Sequence, residues 1–143
     1  MGDKAAHRGR ARQQEKERNM EKNIETTKVA FFIDKKRTYI PRGCGGVPGY
    51  APREVTAVFV DTGNFRMKEC YAHWGQHGTC GVDWLADMTR PATRKEYQEL
   101  FDELENAVGY NLEVLDADWW IGKATARLEK MEDYYRGERR TVA

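Results

Sequence analysis

The sequence predicts an α+β fold: a small, mainly antiparallel sheet covered by one main helix, followed by a C-terminal amphipathic helix. Three observations predict it. Lys28-Val-Ala-Phe-Phe-Ile33 and Glu54-Val-Thr-Ala-Val-Phe-Val60 are short apolar runs rich in β-formers. Residues 94–108 place Tyr97, Leu100, Phe101, Leu104, Ala107 and Val108 at helical spacing, which makes one apolar face. An apolar sheet face and an apolar helix face must bury each other, so a two-layer domain is expected with the sheet covered on one side.

Each element has its own signal. Residues 1–25 carry almost no large apolar side chains, and such a segment cannot offset its ordering entropy by burial. A polar, disordered N-terminal tail is expected there. The domain proper is expected over residues 26–118, and a C-terminal helix and tail over 119–143. After the first strand, residues 41–52 hold three prolines and four glycines, which marks a loop. Asp61-Thr-Gly-Asn64 is a turn signal, so Phe65 to Ala72 should return as a third strand and make a hairpin. His73 to Gly81 contains three glycines and reads as a loop. Val82 to Met88 reads as one or two helical turns with Trp84, Leu85 and Met88 on one face. Thr93 precedes Glu96 by three residues, as a capping box at the start of the main helix requires. Gly109 is the expected stop. Tyr110, Leu112 and Val114 alternate as a strand with one buried face. Ile121, Ala124, Leu128, Met131 and Tyr135 then recur three and four apart, giving a helical stripe over about 121–136 that packs on the domain or meets another chain.

The charge pattern excludes more than it selects. The net charge is +1, with 33% charged residues, so nothing global steers the chain toward nucleic acid or an anionic membrane. Residues 1–25 hold seven basic and five acidic side chains, so their acids dilute any nucleic-acid-binding arm. Residues 96–118 hold eight acids and no Lys or Arg, which reads as a solvated face or a surface for a basic partner. No apolar run approaches the roughly 18–20 residues that span a bilayer. The N-terminus lacks the apolar core of a secretory signal, and three cysteines fit a reducing compartment. A cytoplasmic location is expected.

One polar cluster stands out: Cys70-x2-His73-x3-His77-x2-Cys80. Four readings of it stay open. Zinc takes four N or S ligands, and Cys70, His73, His77 and Cys80 are the right types, with Cys44 as a substitute, although only three residues separate the histidines. As separate residues, the cysteines would be small buried hydrophobes and the histidines would fix a turn. As a catalytic pair, Cys80 would be the nucleophile and His77 or His73 its base. As a binding surface without chemistry, Tyr71, His73, Gln76 and His77 would offer donors and acceptors beside glycines, with Arg90 as an anion clamp. No P-loop and no GxGxxG motif is present, so no nucleotide is indicated by motif.

Tyr71-Ala-His-Trp-Gly-Gln-His77, Thr89-Arg-Pro-Ala-Thr93, Glu96-Tyr97 and Gly109-Tyr-Asn-Leu-Glu-Val114 occur in that order. Together they resemble a family of small proteins found in bacterial phages, plasmids and other mobile DNA. The family signature is Tyr-x-His-x-Gly-Gln-His, then Thr-Arg-Pro-Ala, then a helix ending in Gly-Tyr. The resemblance covers about residues 27–116. It implies an origin in a bacterial or phage-infected cell and carries no established activity. Trp74 departs from the family's small aliphatic, and residues 38–53 look inserted. The expected function is therefore a non-enzymatic accessory or binding protein that uses the His73–Gln76–His77 segment and needs no cofactor. It would take a protein partner, or a second copy through the C-terminal helix. The alternative is a small zinc-dependent or thiol-dependent enzyme built on Cys70, His73, His77 and Cys80.

Overall fold

The computed structural model describes residues 25–41, 49–73 and 76–142. The N-terminal tail up to residue 24, Cys44 with most of the Gly/Pro loop, and Trp74 lie outside the described residues. The fold is α+β, as expected, with a mainly antiparallel mixed sheet of six strands.

The sheet is organised around β1 (Thr26–Asp34). Val29, Ala30, Phe31, Phe32 and Ile33 are all buried. Successive side chains of a strand point to opposite faces, so an unbroken buried run means that both faces are covered. Along one edge β1 pairs antiparallel with β4 (Val55–Phe59), which pairs with β5 (Met67–Ala72), which pairs with β6 (Gln76–Gly81). The other edge of β1 is shared. Its first half pairs in parallel with β8 (Asn111–Val114), and its last three residues pair antiparallel with β7 (Thr89–Pro91). A separate two-stranded ribbon, β2 (Tyr39–Ile40) with β3 (Gly49–Tyr50), holds the ends of the Gly/Pro loop together.

The β4–β5 hairpin turns where the sequence signals it. Asn64 Oδ1 accepts from the backbone N–H groups of Arg66 and Met67, and Gly63 takes φ +66°. A Cβ on Gly63 would collide with the Met67 carbonyl, so only glycine fits there.

Two clusters fill the two sides. On one, Val29, Phe31, Ala57, Phe59 and Tyr71 meet Leu100 and Leu104 of the main helix. That helix is α2 (Arg94–Asp102), extended by a π-helical segment, Glu103–Val108. Its start is the capping box of Thr93 and Glu96. Its end is Gly109 at φ +97°, and the N–H groups of Gly109 and Tyr110 both donate to the Leu104 carbonyl at 2.9 Å. On the other side, Ala30, Phe32, Val58, Val60, Cys70 and Cys80 meet Leu85 of α1 (Val82–Met88) and Ala117 and Trp120 of α3 (Ala117–Val142). The domain therefore has three layers. The two-layer expectation fails because the apolar run of β1 is buried on both sides, and periodicity alone does not separate that pattern from other buried segments.

Three further differences have local causes. Gln76–Gly81 is a strand rather than a loop. As the edge strand of the β5–β6 hairpin it needs only one pairing partner, so the glycines cost it little packing. In α1 the buried side chains are Val82 and Leu85, whereas Trp84 and Met88 stay exposed. The C-terminal helix begins at Ala117, four residues before the expected start, because the Trp119–Trp120 pair lies inside it. Ile121 and Ala124 of its stripe pack on the domain core, and Phe65 stacks on Tyr135 at 6.0 Å between ring centroids. Among the described residues no helix is long and apolar enough to cross a membrane.

Candidate ligand-binding site

The β5–β6 hairpin sorts the Cys/His cluster onto two faces. Tyr71 is directly opposite His77, Cys70 opposite Gly78 and Lys68 opposite Cys80. Cys70 and Cys80 thus point into the core on the α3 side, while Tyr71, His73 and His77 point to the α2 side. The four suggested zinc ligands do not converge. Among the described residues no group of three or more His, Cys, Asp or Glu side chains is placed to hold a metal ion.

The two thiols meet each other instead. Both are buried and free. Cys80 donates to Cys70, which draws the Cys70 thiol below its ordinary value against the opposing effect of burial. The same contact, together with burial, pushes Cys80 far up. Cys80 is therefore a poor thiolate, and both histidines lie on the other side of the sheet.

The histidines join a polar and aromatic network with the main helix. His77 Nε2 lies 2.9 Å from the Tyr110 hydroxyl, and the His77 ring packs edge-on to Tyr71 and stacks near Phe59. His73 Nδ1 lies 3.2 Å from Glu103 Oε2. The Tyr71 hydroxyl also donates to Glu103. Burial first, and then the charge and hydrogen bond of Glu103, hold the Tyr71 phenol above its usual value, so it stays a donor. Glu103 opens the π-helical segment, a distortion that occurs often at functional sites because it re-aims side chains.

Arg90 is committed elsewhere. It leaves β7 and grips Glu96 with two parallel bonds, at 2.8 and 2.7 Å. Those bonds, reinforced by the Thr93 N–H, hold the Glu96 carboxyl well below the carboxylate range, at about 2. An Arg already engaged by a carboxylate is not an open anion clamp. Gln76, at φ +54°, sits opposite Ala72, one register position away from the Tyr71–His77 pair and so on the other face.

Beside this network lies an open cleft of about 510 Å³ between the start of β4 and α2. Val55, Leu100 and Pro52 supply apolar wall, Glu54, Glu96, Glu99, Glu103 and His73 supply polar groups, and among the described residues Arg53 is the one cation that also lines it. Glu96, Glu99 and Glu103 lie three and four residues apart, so they share one side of the helix. That spacing is present in the sequence, where it reads as a solvated helix face. Glu54 and Tyr110 could be joined to the site only by the sheet register and by the helix stop at Gly109. The arrangement can seat a cationic group with an apolar stem: carboxylates on the rim for charge, a small hydrophobic wall for the stem.

No protein-family model matches the chain, and neither a curated protein nor a solved structure matches it.

Proposed function

We propose that this chain is a non-enzymatic binding protein, an accessory protein of a phage or mobile element, and that the cleft beside the His73–His77 hairpin takes a basic side chain of a protein partner. The observation that carries the reading is the convergence of Glu54, Glu96, Glu99 and Glu103 on one partly apolar cleft. Glu96 is neutralised by its paired Arg90. Glu103 accepts from His73 and Tyr71, which fixes its carboxylate in place without supplying a permanent positive charge. A fixed carboxylate loses little freedom on binding, which favours affinity. The thiol-enzyme alternative gains no support from a cysteine pair buried on the face away from the histidines.

The test is an NMR titration with a short Arg-Lys-Arg peptide, capped at both ends. Saturable amide shifts are expected at Val55, Leu100 and Glu103, and binding should weaken about tenfold in a Glu99→Gln/Glu103→Gln variant, consistent with the loss of about 1.4 kcal/mol. Affinity should fall as salt rises, because the rim is exposed. Equal shifts from a Glu-Gln-Glu peptide, or no shifts at these positions, would sink the proposal.

A further inference from the structure

The opposite face carries a second recess of different character. It is an open groove of about 490 Å³ between the end of β4, the start of β5 and the first turns of α3. Lys68, Lys123 and Arg127 line it, with Phe65 and the indole of Trp119, and Asp61 is its single acid. Among the described residues none of the three cations is in a salt bridge.

Two features make the groove more than a basic surface. Lys68 is half-buried, and its ammonium is held below its ordinary value first by that burial and then by the nearby Arg127, only partly offset by Asp61. Two like charges are thus kept close in a partly desolvated place, an arrangement that an anion relieves. Trp119 is 53% exposed although it stands beside the buried Trp120, and Lys123 rests over its ring at 4.3 Å from the centroid. An exposed indole among cations is the pairing that single-stranded nucleic-acid sites use: a stacking platform for a base and positive charge for the phosphate.

We propose that this groove binds a nucleotide unit, with the base stacked on Trp119 and the phosphate held by Lys68 and Arg127. The unit is either a free mononucleotide or one residue of a single strand. The groove volume falls in the usual range for small-ligand sites, about 300–1,000 Å³. The site is independent of the acidic cleft, since the two lie on opposite faces of the sheet.

Titrations of the full chain with thymidine monophosphate, thymidine, inorganic phosphate and a (dT)12 strand test it, read by NMR and by fluorescence anisotropy. The expected result is saturable binding of thymidine monophosphate or (dT)12, with shifts at the Trp119 indole N–H and at the Lys68 amide. Trp119→Ala should weaken binding about tenfold, and Lys68→Gln/Arg127→Gln by more. All these changes are at partly or fully exposed positions, and a thermal melt of each variant confirms that it is folded. Saturation by the mononucleotide identifies a free nucleotide as the ligand. Binding of (dT)12 alone, with a slope of log affinity on log salt of about −1.4, as two phosphate contacts give on a single strand, identifies a strand. The proposal is overturned if inorganic phosphate binds as tightly as the nucleotide, if Trp119→Ala changes nothing, or if the Lys68/Arg127 variant keeps full affinity and so places the binding elsewhere on the chain.

Discussion

Glu96 does three jobs at once, and its chemistry shows how much one residue can organise. It closes the capping box with Thr93, it takes both prongs of Arg90, and it stands on the rim of the acidic cleft. Its carboxyl is lowered to about 2, from an ordinary 4.5. A depressed carboxyl stabilises the fold above its unfolded value and stops doing so as pH falls through its folded one. The stability that Glu96 adds over Gln should thus be constant above pH 5 and shrink between about pH 4.5 and 2. Urea midpoints of the wild type and Glu96→Gln across that range check it, with a gap at neutral pH of about 1 kcal/mol, the upper scale of a partly exposed ion pair. A gap that persists unchanged at pH 2 would mean that Glu96 acts through packing rather than through charge. At this same scale, the residue types in the Cys/His cluster are legible in the sequence but their directions are not. Strand pairing decides the directions, and the glycines at 75, 78 and 81 hide the strand by reading as loop.

At the scale of elements, the strands at β1, β4, β5 and β8, the main helix with its cap and its glycine stop, and the C-terminal helix are all legible, because each has a period or a terminal signal of its own. The elements that are not legible share one property: their own residues carry no strand signal, and their pairing is supplied by neighbours. β7 is three residues long and contains Pro91, and it exists because the C-terminal half of β1 offers it an edge. The layer count is also a neighbour effect, and it can be tested. Phe31 stacks on Tyr97 at 4.3 Å on one side of the sheet, and Phe32 meets Trp120 at 5.9 Å on the other. Both are fully buried. Phe31→Ala and Phe32→Ala should therefore destabilise by similar amounts, about 3–5 kcal/mol each. A sheet covered on one side would give one large and one small loss, and denaturant unfolding of the two variants distinguishes these outcomes.

On the scale of the whole molecule, a net charge of +1 conceals a separation of charge. Glu96, Glu99 and Glu103 lie on the α2 side, and Lys68, Lys123 and Arg127 on the α3 side. The sheet is the partition between them. The two proposed sites therefore sit on opposite faces, and each presents its own field at short range.

The shared edge of β1 also governs the order in which the chain can assemble. Thr26 lies beside Asn111, 85 residues away in sequence, and the same strand waits for β4 on one side and for β7 and β8 on the other. In order of synthesis β1 precedes its last partner, β8, by all the other strands of the sheet. Closing so long a loop is slow, and proteins dominated by distant pairings fold in milliseconds to seconds rather than microseconds. A chain ending at Gly109 should show no cooperative melting transition by circular dichroism, and the full chain should refold with a single phase no faster than about a millisecond. Until β7 and β8 are made, β4 can cover only one edge of β1, and the other stays an unpaired apolar edge, the kind of segment that chaperones hold.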